Sequence, residues 1–138
     1  DNDIVIANAY FKAGEAFIAS ASSFIAVKRT GGSSITIANS QFGQIVHYLG
    51  ASWGMNTDGN IWTSKMSIPP WINHHIFYSE FPEGRNRAIW AEKDLHKVLQ
   101  PDNWDEVVSK LIEWHGTKAK VAVFPDGTIQ YTVQPEYR

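Results

Sequence analysis

The chain alternates between short, continuous apolar runs and longer stretches in which apolar residues recur every three or four positions. Asp3-Ile-Val-Ile-Ala-Asn-Ala-Tyr10 is the first continuous run. Three successive β-branched residues suit a strand covered on both faces, as in a parallel sheet. Asn8, Tyr10 and Lys12 arrive where the run stops. Residues 34–38 form a second such strand, and Ile35-Thr-Ile-Ala-Asn39 has nearly the same ending. Between them, residues 14–27 read as a helix. Phe17, Ala21, Phe24 and Ile25 recur at helical spacing and define one apolar stripe. The other positions are mostly Ala and Ser, small enough to let a helix lie close against a sheet. Arg29-Thr-Gly-Gly32 ends the helix, with glycine free to take a left-handed turn. Strand, helix and strand make a βαβ unit with a right-handed crossover.

Further along, residues 44–49 read as a short helix with Ile45, Val46 and Leu49 inward. Residues 50–70 are the least regular. Gly50, Gly54, Asp58-Gly59 and Pro69-Pro70 are turn signals, interspersed with Trp53, Met55, Trp62 and Met66. A loop of that length predicts a functional or interface segment, part of it helical. Residues 73–78 form a third strand, closed by Phe81-Pro-Glu-Gly84. Ala88-Ile-Trp90 fits either a strand or a helical turn. The clearest helix follows: Trp104, Val107, Val108, Leu111, Ile112 and His115 make an unbroken stripe. Asn103 is its N-cap, Glu106 completes a capping box, and Gly116 ends it. Residues 120–124 are a strand, Pro125-Asp-Gly127 a turn, and residues 128–133 either an antiparallel edge strand or an extended tail. The alternation predicts an α/β fold, a three-layer sandwich with a mostly parallel, Rossmann-like sheet. In such a sheet ligands sit at the carboxyl ends of strands, so Asn8, Tyr10, Lys12 and Asn39 are the candidate binding residues. Parallel strands would set Asn8 and Asn39 on one edge.

Composition narrows the classes. The 138 residues carry a net charge of −2, which leaves no electrostatic footprint for nucleic acid. No apolar run approaches the roughly 18 residues of a membrane span. Cysteine is absent, which excludes disulfides and thiolate metal sites and fits a reducing, cytoplasmic setting. Residues 1–138 fit a single α/β domain. The chain starts at Asp1 and enters a strand almost at once, which predicts the C-terminal part of a longer two-domain protein. Some of its six tryptophans would then face the missing neighbour.

Familiar cofactor signatures are missing. The turn after the first strand holds Gly14 alone, not the three glycines of the dinucleotide fingerprint, and neither a Walker A sequence nor a nucleophile elbow occurs. His74 and His75 are adjacent in a strand and point to opposite faces. No histidine pair has metal-ligand spacing, so the expectation is no metal and no cofactor held by this chain. His115 reads as a C-terminal helix residue. Lys12, at a helix start, is the leading candidate for contacting a carboxylate or phosphate, with Tyr10 donating to the same anion. Arg85 and Arg87 are weaker anion candidates of the same kind. Asp58, Glu80, Glu83 and Asp126 are acids without a meaningful pairing.

Asp3-Ile-Val-Ile-Ala-Asn-Ala-Tyr-Phe-Lys12, the following helix, and Lys28-Arg-Thr-Gly-Gly-Ser-Ser-Ile-Thr-Ile-Ala-Asn39 together resemble the start of the C-terminal domain of the nickel-dependent lactate racemase family. The helix at 103–116 and Ala119-Lys-Val-Ala-Val-Phe-Pro-Asp-Gly127 resemble its end. The resemblance implies a two-domain isomerase whose N-terminal domain carries a nickel-pincer nucleotide and the catalytic histidines. The C-terminal domain would close over a 2-hydroxy acid and supply polar contacts. Tyr10 stands where the family's turn tyrosine stands, and Lys12 lies near where a carboxylate-binding cation is wanted. Phe11 replaces the usual proline, Ala13 stands about where an acid is common, and Ile18 replaces a polar residue, which implies a hydroxy acid other than lactate. The fragment alone is expected to be inactive. The alternative reading is a non-catalytic α/β module that binds a small anion or a protein partner.

Overall fold

The computed structural model describes residues 1–41, 43–44, 65–81 and 89–130. The expected helix at 44–49, apart from Gln44, lies outside them, as do most of the Trp-rich stretch, the loop from 82 to 88 with Glu83, Arg85 and Arg87, and the end of the predicted tail. Within the described residues, strands β1 (Ile4–Asn8), β2 (Gly32–Ile37), β3 (Ile72–Tyr78), β4 (Val98–Leu99) and β5 (Val121–Phe124) form one sheet in the order β4-β3-β2-β1-β5. Every pairing is parallel. The three-layer α/β expectation is met, and the sheet is parallel throughout rather than mostly so. No helix among the described residues is long and apolar enough to cross a membrane.

The chain steps outward from β1 through β2 and β3 to β4, then returns to place β5 on the other side of β1. β4 is a two-residue strand entered from a 3-10 turn at Glu92–Lys97. It was not foreseen, because two residues carry no periodicity. Trp90, ambiguous from sequence, makes an isolated parallel bridge to Met66. At the other end, Thr128 and Ile129 are in turn conformation, so the alternating pattern beginning at residue 128 does not start a strand.

Helix α1 (Phe17–Ala26) covers one face of the sheet. It is shorter than expected, because residues Tyr10–Glu15 form a separate 3-10 turn with a kink at Lys12. The predicted inward stripe is also corrected. Phe24 is buried, but Ala21 and Ile25 are exposed, and the sheet-facing residues are Ala16, Ala19, Ser20, Ser23 and Ala26. The reason lies beneath the helix. β2 presents Ser34 and Thr36 to it, and these hydroxyls pair with Ser23 and Ser20 at 2.6 and 2.8 Å. Buried hydroxyls need partners, so the small polar side of the helix turns inward and large residues stay at its margins. His75 joins this layer, with Nδ1 3.3 Å from Ser34 Oγ and its ring among Phe24, Phe77 and Trp90.

Helix α2 (Trp104–His115) covers the opposite face. The Asn103 side chain accepts from the Glu106 amide at 2.9 Å, as its capping role predicts. Glu106 reaches back to the Asp102 amide rather than to that of Asn103. Gly116 closes the helix at φ 68°, its N–H on the Ile112 carbonyl. Only Val107 and Leu111 of the predicted stripe are buried, against Ile4, Ile35 and Ile76; Val108 and Ile112 are exposed. An apolar groove of about 330 Å³ separates them from edge strand β5, with Ile4 and Ile6 among its lining residues.

Candidate functional site

The carboxyl ends of β1 and β2 lie side by side. Asn8 pairs with Ile37 in the parallel register, and the Ala9 amide donates to the Ile37 carbonyl at 2.9 Å. Asn8 and, two residues past Ile37, Asn39 therefore sit on the same rim. β5 flanks β1 on its other side, and the Gly127 amide donates to the Asn8 carbonyl at 2.8 Å. The strand order reverses at β1, so this rim is also the topological switch point where open α/β sheets place ligands.

Each candidate side chain has a defined local role. Asn8 Oδ1 accepts from the Tyr10 amide at 2.9 Å, an Asx turn. This turn carries Tyr10 into the left-handed region, φ 44°, a conformation a bulky residue adopts only when its surroundings impose it. The outcome is display: Tyr10 and Phe11 are 66% and 68% exposed, edge to face with ring centres 6.1 Å apart. Lys12 Nζ is 3.3 Å from Glu15 Oε2. Asn39 Oδ1 accepts from the Glu80 amide at 2.9 Å and ties the exit of β2 to that of β3. Asn8, Tyr10 and Lys12 thus form one local unit, while Asn39 stands one strand over on the same edge. Asp126 belongs to this rim as a turn residue: its Oδ1 accepts from the Thr128 amide and hydroxyl.

Gln44 is the rim residue that sequence reasoning missed as a positioning group. Buried beneath the 3-10 turn, it accepts from the Ala16 amide at 3.0 Å and donates to the Ala13 carbonyl at 2.7 Å. Its amide therefore clamps the segment carrying Tyr10 and Lys12 to the chain that leaves β2. No motif signals this, because the partners are about thirty residues away. Replacing Gln44 with Leu strands a buried N–H and a carbonyl, and is expected to cost about 2 kcal/mol. Urea unfolding would show the loss, and faster hydrogen exchange at the Ala16 amide would locate it.

The histidines separate as expected, His74 toward α2 and His75 toward α1. Burial pushes the His75 imidazole down to about 3, so it is neutral inside the sheet layer and not a rim acid or base. Among the described residues, no three His, Cys, Asp or Glu side chains are grouped to hold a metal ion on their own. Compared with known proteins, the chain matches no protein-family model and no curated protein.

Proposed function

We propose that this chain is the substrate-capping C-terminal domain of a nickel-pincer-dependent racemase or epimerase-like enzyme acting on a 2-hydroxy acid. The observation carrying the reading is the shared rim, where an exposed Tyr10, held left-handed by Asn8, stands beside Lys12 on the edge that also bears Asn39. The resemblance in residues 3–39 and 103–127 supports the same reading. A nickel nucleotide held by the other domain would supply hydride-transfer chemistry at the carbinol carbon. This chain's residues bind and enclose. Lys12, drawn from Glu15, meets the substrate carboxylate; the Tyr10 hydroxyl donates to it; Phe11 helps exclude water. None of the cofactor's ligands is assigned to this chain.

The test uses the chain joined to its natural upstream sequence and loaded with cofactor. Racemisation of a panel of 2-hydroxy acids is expected for the joined protein and not for residues 1–138 alone. Tyr10→Phe and Lys12→Met should each lower kcat/KM by roughly a hundredfold, the effect of losing a substrate-positioning contact. Full activity in both variants, or turnover by residues 1–138 alone, would refute the reading.

A further inference from the structure

At the rim, the ion pair between Lys12 and Glu15 joins a movable partner to a fixed one. The two residues lie three apart on the 3-10 turn at Tyr10–Glu15, with Lys12 Nζ 3.3 Å from Glu15 Oε2. The Glu15 side chain is 18% exposed and that of Lys12 37%. Glu15 is also the better anchored. The peptide groups on either side of it are held by the buried Gln44 amide, which accepts from the Ala16 N–H and donates to the Ala13 carbonyl. Lys12 carries its charge on a long flexible stem, set at the kink of the turn. A carboxylate that draws Lys12 outward therefore leaves the Glu15 carboxylate behind, beside the bound group.

The charges along this edge point the same way. Lys12 shares it with the acids Glu15, Glu80 and Asp126. The Glu80 amide is tied to Asn39, and Asp126 adjoins Gly127, whose amide donates to the Asn8 carbonyl. One carboxylate arriving here finds Lys12, and a second finds acids. Phe11, 68% exposed against Tyr10, offers an apolar surface to an uncharged remainder.

We propose that Glu15 is a specificity-determining residue, which confines the site to 2-hydroxy acids with a single carboxylate and turns dicarboxylates away. The inference rests on the functional reading above and deepens it. Its mechanism is like-charge repulsion. The substrate carboxylate takes over Lys12, and Glu15, no longer matched by that cation, repels any further negative charge on the same molecule. Near a protein surface one such contact amounts to roughly a tenfold change in affinity. The device works by exclusion rather than attraction.

2-Hydroxybutyrate and malate share one carbon skeleton and differ by a carboxylate, so together they isolate the charge. The test uses the chain joined to its natural upstream sequence and loaded with cofactor. Calorimetric titration with the racemic acids, which undergo no net reaction, should show malate binding at least about tenfold more weakly than 2-hydroxybutyrate. The gap should close in Glu15→Gln, which keeps the shape and removes the charge, and persist in Glu15→Asp, which keeps the charge. Added salt should narrow it in the wild type. In turnover of single enantiomers, Glu15→Gln should move the ratio of the two kcat/KM values at least about tenfold toward malate. Racemisation of 2-hydroxybutyrate with a ratio that Glu15→Gln leaves unmoved would overturn the role of Glu15 and leave the functional reading standing. An equal loss for both acids would do the same, since it marks a merely structural part. A wild type that binds and turns over neither these nor any other 2-hydroxy acid would remove both.

Discussion

Acidification is expected to destabilise this fold far more than its modest charge suggests, and His75 is the reason. The ring is completely buried, its Nε2 has no hydrogen-bond partner among the described residues, and desolvation holds it neutral down to about pH 3. In the unfolded chain the same imidazole takes a proton near pH 6.5. Below that point the unfolded state binds a proton that the folded state refuses, so stability falls with falling pH. The contribution is fully present above about pH 6.5, is lost progressively on the way down, and levels off near pH 3, where the folded form also protonates. A difference of this size amounts to on the order of 5 kcal/mol over that window, comparable with the whole stability of many domains. Urea unfolding followed by tryptophan fluorescence at several pH values would measure it. Carboxylate protonation adds its own acid loss, so the diagnostic quantity is the difference from His75→Phe. That variant keeps an aromatic ring among Phe24, Phe77 and Trp90 and should be flatter between about pH 6.5 and 4. Parallel curves for the two proteins would remove the assignment.

Gly32→Ala should cost about 3 kcal/mol, the upper part of the usual range for overpacking. A β-carbon at Gly32 would lie 2.5 Å from the Asp3 carbonyl oxygen and 2.7 Å from Val27 Cγ1. Valine can rotate away, but the carbonyl is backbone and is already used: it accepts the Ser33 amide at 2.9 Å and so begins the β1–β2 pairing. Relief would have to come from parting the two strands at the point where their register is set. The pairing with β3 shifts register at the same residue, between Gly32 and Ser33, so neither neighbour can absorb the displacement easily. Chemical denaturation should show the midpoint moving to lower urea. An unchanged midpoint would mean that the strand ends yield more freely than their hydrogen bonds imply.

Much of the architecture was legible because it rests on local rules. Ile4-Val5-Ile6 reads as a strand with two covered faces, and Val5 and Ile4 indeed enter the cores on opposite sides. Asn103 and Gly116 bound α2 as their chemistry requires. What failed was the inward face of α1 and the width of the buried stripe on α2, where Val107 and Leu111 are buried as expected but Val108 and Ile112 are not. A hydrophobic stripe assumes an apolar partner surface, but the surface under α1 is Ser34 and Thr36, which calls for hydroxyls. Under α2 the sheet is apolar, yet the helix covers only part of it, leaving Val121 and Val123 of β5 47% and 59% exposed. The rim was legible as far as parallel pairing carries: Asn8 and Asn39 share an edge. The switch point beside β5 and the clamp by Gln44 depend on chain crossings that no local pattern encodes.

The hydroxyl pairs between α1 and β2 have a consequence for how the rim keeps its aim. Apolar contacts tolerate a helix rolling a few degrees about its own axis; two short directional bonds one turn apart do not. Ser20 with Thr36 and Ser23 with Ser34 act like a key in a lock, fixing the azimuth of α1. The turn bearing Tyr10 and Lys12 leads directly into that helix. A chain with alanine at all four positions could remain folded and yet point its tyrosine in several directions, so the steering of the rim is set a full layer below it.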